Sequence, residues 1–431
     1  MNRMYTVTFL PQNISIEVAE GTTLLAAEQE AGLEPDAPCG GKGDCGKCKV
    51  NIVSGKQTGV VLACQTAVTC DMKVDTMYQG KIQKILTDGF SRSVAVEPGV
   101  GREELEKGIP FYLMAFDIGT TTVVGYLLDG KSGKEMAVAS MMNPQHQFGA
   151  DVISRSNYVL EHGGEEMRAV IQDALNRLIV QACAKAGIKK EEILQVSIVG
   201  NTCMHHLFLG ISPDSLVHAP YLPAVKEGMI LSAEECGIHI APEGRLLMLP
   251  NIAGFVGADT VGCMLSIAFD QLEPMTLMID IGTNGEMVMG NKERMVTTST
   301  AAGPAFEGAK IECGMRGSKG AISHVSVENG ELKLEVVEDA KPVGICGSGL
   351  IDILAFMIRY GFVDNYGGLC DEEDLTDEFA KSQAYRLKEK DGKPVFMLVP
   401  AEETANGSEI YISQKDIREV QLAKGAIAAG I

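Results

Sequence analysis

The hydrophobic pattern changes period along the chain, and each change marks a structural boundary. Near the N-terminus, YTVTFL and ISIEV alternate apolar and polar residues around a turn at Pro11-Gln12-Asn13, which predicts two strands. TTLLAAEQEAGL then takes helical spacing, with Thr22 or Thr23 placed to cap it and Gly32 to stop it. KVNIVSG returns to strand character, VLACQT follows, and CDMKVDTM closes as an extended segment. Strand, strand, helix, loop, strand is the order of a compact α+β domain, here residues 1–80. Residues 81–111 have mixed periodicity with scattered Gly and Pro, which predicts a linker with some local structure.

From Phe111 the pattern becomes that of an α/β domain. FYLMAFDIG is an apolar strand ending at Asp117 and a glycine turn, and TTVVGYLLD is the next strand. A helical period from Glu165 to Ala186 puts Val170, Leu175, Leu178, Ile179 and Ala182 along one face. LQVSIVGN predicts a strand ending at Gly200. TLMIDIGTNGEMVMG then repeats the earlier device: DIGTT at 117–121 and DIGTN at 280–284 are nearly the same words. The repeat predicts two similar halves, 112–275 and 276–431, facing one another across a cleft. ISQKDIREVQLAKGAIAAGI is a helical pattern with no stop signal, so the second half is expected to be C-terminally incomplete.

Composition narrows the function. A chain of 431 residues that is 45% hydrophobic can build two or three cores. A net charge of -20 argues against nucleic acid as a partner, because phosphate backbones need local positive charge. MNRMYTVTFLPQN breaks its apolar character too early for a secretory leader, and later apolar stretches are interrupted before membrane-spanning length. The expectation is a cytoplasmic protein with no membrane partner. In so long a chain the cysteines, bunched at one end, do not read as a disulfide scaffold.

They read as ligands. Cys39, Cys45, Cys48 and Cys64 sit in PCGGKGDCGKC and VLACQT: three from one glycine-rich loop and a fourth from a later segment. Four thiolates suit an iron–sulfur cluster or tetrahedral zinc, although zinc sites usually pair two short Cys-x2-Cys hooks and only one is present. Gly40, Gly41, Gly43 and Gly46 let the backbone fold tightly over an object and aim N–H groups at sulfide. Cys70 reads as a plain strand cysteine, since four ligands are already supplied; Lys42, Lys47 and Lys49 are surface lysines, or they offset cluster charge or guide an acidic partner. Loop and domain together resemble ferredoxin domains that hold a 2Fe-2S cluster in a β-grasp fold. The five-residue gap after Cys39 is more like the adrenodoxin-like variant than the plant type, and the short run to Cys64 departs from both.

Strand–Asp-x-Gly-Thr–strand is either a capped hairpin turn or a phosphate loop. In the second reading Gly119 permits the turn, Thr120, Thr121 and Thr122 offer N–H and hydroxyl donors, and Asp117 holds magnesium through water. Asp280, Gly282, Thr283, Asn284 and Gly285 offer the same chemistry, with Glu286 as a further acid. Two copies favour the phosphate loop, and the region resembles the acetate and sugar kinase, heat-shock 70 and actin superfamily, in which two ribonuclease-H-like domains close around ATP. That resemblance implies a connecting region at Gly200-Asn201-Thr202 and a nucleotide approach by Gly347, Ser348 and Gly349 in GICGSGLID. The later glycine pair that flanks adenosine is not found. Glu307 and Arg316 either line the cleft, Glu307 assisting water or magnesium, or are solvated loop residues. Cys203, His205 and His206 fit a core role better than a metal site, and the segment with His146, Asp151 and Arg155 is either a partner-facing surface or a helix start capped by Asp151.

The whole constellation resembles the reductive activators of corrinoid proteins, with GNTCMHHLFLG, PNIAGFVGADTVG, IDIGTNGE, AAGPAFEGA and GICGSGLID as its distinctive stretches. The resemblance implies a 2Fe-2S cluster on the four cysteines, and ATP and Mg2+ at the two Asp-Ile-Gly-Thr loops. It implies ATP-dependent reduction of cobalt(II) to cobalt(I) in the corrinoid protein of a methyltransferase system. An upstream electron donor and a homodimer are further expectations. Two other readings stay open: an activator of another low-potential enzyme, and a nucleotide-gated scaffold with a structural zinc domain.

Overall fold

The structure is a computed structural model that describes residues 3–10, 13–33, 35, 37, 41, 43, 46, 48–76, 99–149, 151–308, 310–328 and 330–431. The described residues of Met1–Leu86 group with Ile281–Gly285 and Thr300–Ile431 in one compact unit, and those of Thr87–Asp280 with Glu286–Ser299 in another. Most of the expected linker lies outside the described residues.

The N-terminal α+β domain is built on strands β1 (Met4–Leu10), β2 (Ile14–Ala19), β3 (Lys49–Ser54), β4 (Gly59–Leu62) and β5 (Met72–Asp75), with helix α1 (Leu24–Glu30). Their sheet order is β2-β1-β5-β3-β4. Alternation in β1 sends Val7 and Phe9 inward, where they meet Leu24, Leu25 and Ala27 of α1 and Val50, Ile52 and Val74. Full burial of each such side chain contributes about 1.5–3 kcal/mol. Thr23 caps α1 by accepting from Ala26 N at 3.2 Å. The segment read as merely extended is β5, which pairs parallel to β1 and takes the centre of the sheet.

Past a short helix α2 (Arg102–Lys107), the second unit opens with β6 (Tyr112–Ile118), β7 (Thr122–Asp129) and β8 (Glu135–Met142), an antiparallel meander. Helices α3 (Val152–His162) and α4 (Glu165–Ala186) follow, then β9 (Ile193–Gly200), α5 (Thr202–Leu209), α6 (Asp214–Val217), β10 (Met229–Ser232), β11 (Arg245–Met248) and α7 (Ala258–Ser266). The six strands order as β10-β11-β9-β6-β7-β8, with β9 parallel to β6 and β11 parallel to β9. The buried stripe of α4 is Met167, Ile171, Ala174, Leu175, Leu178, Ile179, Ala182 and Cys183; the expected Val170 sits half-buried at its flank.

The second motif copy lies between β12 (Thr276–Ile281) and β13 (Gly285–Gly290), which with β14 (Met295–Thr300) form a three-stranded sheet. Beyond it come β15 (Ala321–Glu328), β16 (Glu331–Val336), β17 (Gly344–Ile345), α8 (Gly347–Arg359), α9 (Glu378–Ser382), β18 (Leu387–Lys390), β19 (Lys393–Val399), β20 (Ile410–Ser413) and α10 (Gln414–Gly430). These strands make two further three-stranded sheets, β16-β15-β17 and β18-β19-β20. They share one apolar core, in which Ile322, Ile353, Met357, Phe362, Phe396 and Ile412 are fully buried. No helix among the described residues is long and apolar enough to cross a membrane.

Candidate functional site

Two of the four ligand candidates, Cys48 and Cys64, are described; Cys39 and Cys45 lie outside the described residues. Pairing of β3 with β4 ends at Lys49↔Leu62, and the next bond, Ala63 N to Cys48 O at 2.7 Å, brings the segments carrying Cys48 and Cys64 side by side. Both cysteines are buried. Gly41, Gly43 and Gly46 have φ of +86°, +86° and +63°, left-handed conformations that bend a loop sharply at almost no steric cost for glycine. A Cβ on Gly41 would stand 3.8 Å from Cys64 Cβ. Gln65 Nε2 lies 3.8 Å from Cys64 Sγ, within reach of a donor to sulfur. Two buried thiols beside glycines in left-handed conformations fit a cysteine-held cluster.

The two motif copies fold alike. Asp117 and Asp280 are each the penultimate residue of their strand, β6 and β12, just before a hairpin turn; Gly282 N closes the second turn on Asn284 O at 2.9 Å. In the second unit Asp117, Asp259, Asp280 and Glu286 come close enough to perturb one another. The Asp117 carboxyl is pushed up to about 7 by desolvation, then by the charges of Asp259 and Asp280. Asp117 retains exposed surface although protein crowds it, so water moderates the desolvation; the two neighbouring carboxylates push the same way. Desolvation raises Asp259 to about 6 and Glu286 to about 7, and it raises Asp280 too. Ser299 Oγ donates to Glu286 Oε1 at 3.1 Å. Carboxylates held this close stay part-protonated until a cation joins them.

Asp259 is a member that the motifs alone did not single out, although it stands in PNIAGFVGADTVG. It occupies the first turn of α7, whose start is held by Asn251 Oδ1 accepting from Ala258 N at 3.2 Å. A Cβ on Gly257 would lie 2.6 Å from Asn201 Cα, so only glycine lets α7 approach the Gly200-Asn201-Thr202 corner this closely. One turn on, the Cys263 thiol points to Asp280 Oδ2 at 3.9 Å, and desolvation with Asp280, Asp259 and Asp117 pushes it up to about 12. The placement of Asp259 depends on backbone approach across distant segments, which spacing does not reveal. Among the described residues no group of three or more His, Cys, Asp or Glu side chains is placed to hold a metal ion directly. An ion here fits coordination through water.

The remaining candidates divide. Thr283 Oγ1 donates to Glu307, and Gly303 N bonds Thr283 O at 2.8 Å, so Glu307 belongs with the second turn. Arg316 is half-buried, and among the described residues its Nη1 has no hydrogen-bond partner. A Cβ on Gly347 would lie 2.0 Å from Phe306 O and one on Gly349 2.1 Å from Ile322 O, so both glycines let α8 pack closely. The Ser348 hydroxyl donates to Ser323 O at 2.9 Å. His205 and His206 are buried in α5, and His206 accepts from Ala224 N at 3.0 Å, which is a core role. Asp151 caps α3 through Ser154 N at 2.8 Å. Arg155 has no exposed surface, which rules it out of a partner-facing surface.

Three family models match the chain: "2Fe-2S iron-sulfur cluster binding domain" at residues 7–69, "RACo middle region" at 112–272, and "C-terminal domain of RACo the ASKHA domain" at 274–431. The "Corrinoid activation enzyme RamQ" of Eubacterium limosum is 34% identical over 482 residues, covering 96% of this chain and 80% of that protein. The "[Co(II) methylated amine-specific corrinoid protein] reductase" of Methanosarcina barkeri is 25% identical over 351 residues, 74% of this chain and 58% of that protein. A solved structure described as "Reductive activator for corrinoid,iron-sulfur protein" superposes with a TM-score of 0.64 at 32% identity, covering 99% of this chain and 82% of that one. The architecture is thus an N-terminal ferredoxin-like domain followed by a duplicated α/β ATPase region. The chain belongs to the family of reductive corrinoid activators.

Proposed function

We propose that this protein reductively activates a corrinoid protein, passing one electron to inactive cobalt(II) to regenerate cobalt(I), coupled to ATP. The observation that carries this reading is the presence, in one chain, of a buried-cysteine ferredoxin domain and an acid-lined pair of Asp-Ile-Gly-Thr hairpins. An electron carrier alone needs no nucleotide. A transfer to a very low-potential acceptor does, because nucleotide binding can favour one conformation and so drive an uphill step.

In this reading residues 1–80 are the electron module, 81–111 the linker, and 112–275 and 276–431 the ATPase halves. Cys39, Cys45, Cys48 and Cys64 would hold a 2Fe-2S cluster, which when bound supplies one-electron transfer. Gly119, Thr120, Thr121 and Thr122 bind phosphate, as do Gly282, Thr283, Asn284 and Gly285, and Gly347, Ser348 and Gly349 approach the nucleotide. Asp117 and Asp280 orient a magnesium ion through water, which when bound neutralises phosphate charge and lets crowded carboxylates ionise. Glu286 and Glu307 assist the attacking water. The partners are a methyltransferase corrinoid protein and an upstream reductant; a homodimer and a cytoplasmic site belong to the same proposal.

Anaerobic purification tests the electron module. The expected protein is coloured, contains iron, and gives a rhombic paramagnetic signal on reduction. Cys45→Ser should abolish that signal and leave nucleotide binding intact. A colourless zinc protein would overturn the electron-transfer reading and favour the scaffold.

A further inference from the structure

The first hairpin is held from behind by buried donors that its sequence does not contain. Asn143 Nδ2 donates to Gly119 O at 2.7 Å, Arg155 Nη2 donates to Thr120 O at 2.7 Å, and Asn143 N donates to Thr121 O at 2.9 Å. Three successive carbonyls are thereby engaged on the protein side. Asn201 Nδ2 donates to Thr120 Oγ1 at 2.9 Å, occupying a lone pair of that hydroxyl and leaving its proton available to an incoming acceptor. The amide orientations follow from the backbone: Asn143 Oδ1 accepts from Gln145 N at 2.9 Å and Asn201 Oδ1 from Met204 N at 3.0 Å, so each NH2 group is the one aimed at the loop.

Arg155 adds charge to this arrangement. Its guanidinium is fully buried, and it is fixed by Gly149 O at 2.9 Å and Met204 Sδ at 3.3 Å as well as by Thr120 O. Desolvation lowers it to about 10, which leaves it cationic at neutral pH. The Cys203 thiol, itself pushed up to about 11 by burial, and then Asp151, one turn earlier, are the acidic groups that act on it; the Asp151 carboxylate is committed to Ser154 N and Ser154 Oγ at the cap of α3. Among the described residues Arg155 makes no ion pair. A buried cation without a paired carboxylate is costly, and an anion on the far side of the loop relieves that cost. At the Asp117 end the same hairpin is acidic, with Asp259 and Asp280 acting on Asp117. The hairpin is therefore electrically divided, with a cation-seeking end at Asp117 and an anion-seeking end at Gly119–Thr121.

We propose that Arg155, with Asn143 and Asn201, is a positioning residue for the polyphosphate of the nucleotide: it ties down the loop carbonyls and sets a positive field that favours ligands with more phosphates. This rests on the ATP reading above, and its signature is a dependence on phosphate number that a merely structural residue would not give. The test uses the full-length, cluster-loaded protein with Mg-ATP, Mg-ADP and AMP by calorimetry, the visible cluster spectrum and the melting transition serving as fold controls. Arg155→Met is expected to weaken ATP about 30-fold, ADP less, and AMP within about twofold. Arg155→Lys, which keeps the charge and loses the planar fork, is expected to recover part of the loss. If Arg155→Met does not fold, Asn201→Asp serves instead, because aspartate still caps α5 while reversing the field behind Thr120; it is expected to show the same graded loss. Equal loss for all three ligands, or none, in a folded variant overturns the proposal alone. A wild-type protein that binds no Mg-ATP overturns the nucleotide reading and this inference with it.

Discussion

Behind the first Asp-Ile-Gly-Thr hairpin stand Asn143 and Asn201, just past strands of the six-stranded sheet, and Arg155 on α3, all buried or half-buried donors. Beside the second stand a thiol on Asp280, a serine on Glu286 and a carboxylate on Thr283, in a sheet of three strands. The words are nearly the same, and the side chains that support them differ. In the first copy three successive carbonyls, of Gly119, Thr120 and Thr121, are tied down by donors. The second copy brings acids, and its Thr283 hydroxyl is already committed to Glu307. The turn is thus common to both copies, while the side chains that support it differ.

The largest effect should come from the acids themselves. Asp117→Ala and Asp280→Ala are each expected to lower ATP turnover by about 10²–10³-fold, and the double variant by little more, because groups that act on one ion do not add. A steady-state ATPase assay checks this. Full activity in one single variant would show that only one copy serves the nucleotide.

The glycines offer a sharper contrast. A Cβ on Gly119 would lie 2.8 Å from Thr122 O, whereas one on Gly282 meets only Asn284 O at an ordinary 3.6 Å. Gly119→Ala should therefore cost about 1–3 kcal/mol in denaturant unfolding, and Gly282→Ala less than about 0.5 kcal/mol. Equal costs would remove the difference in bracing.

The smallest effect is a pH dependence. Asp117 and Asp259 are raised from 3.8 to about 7 and about 6, and Glu286 from 4.5 to about 7. Between pH 4 and 7 the folded protein thus holds protons that the unfolded chain has released. Their contribution to stability is fully present below about pH 4 and is lost as pH rises through 6 to 7. Magnesium competes with those protons, so Mg2+ should raise the melting temperature more at pH 7.5 than at pH 5. Asp259→Asn should flatten the trend. A magnesium effect independent of pH would separate these acids from the ion.

Much of this was legible from local pattern. The β6 and β7 strands, the Thr23 cap and the long helix α4 follow from periodicity and end signals that act within a few residues. The likeness of the two hairpins was visible as repeated words. Their unlike backing was not, because Asn143, Arg155 and Asn201 reach Gly119 and Thr120 across 24 to 81 positions. In sequence the Arg155 segment reads as a partner-facing surface or as a helix start capped by Asp151; only its full burial and its bond to Thr120 O tie Arg155 to the loop. Asp259 escaped for a similar reason, since its helix is brought in by the bare backbone of Gly257. Likewise β5 looked like a closing segment because parallel pairing with β1 leaves no local trace.

The central claim is that one chain joins an electron carrier to a nucleotide site. Its most direct test is a single-turnover reaction of the chemically reduced protein with a cobalt(II) corrinoid protein, followed optically for cobalt(I). Cobalt(I) should form with Mg-ATP and not without it, and the Cys45→Ser and Asp280→Ala variants should each fail. Cobalt(I) formed equally well without nucleotide, or by the Cys45→Ser variant, would contradict the account.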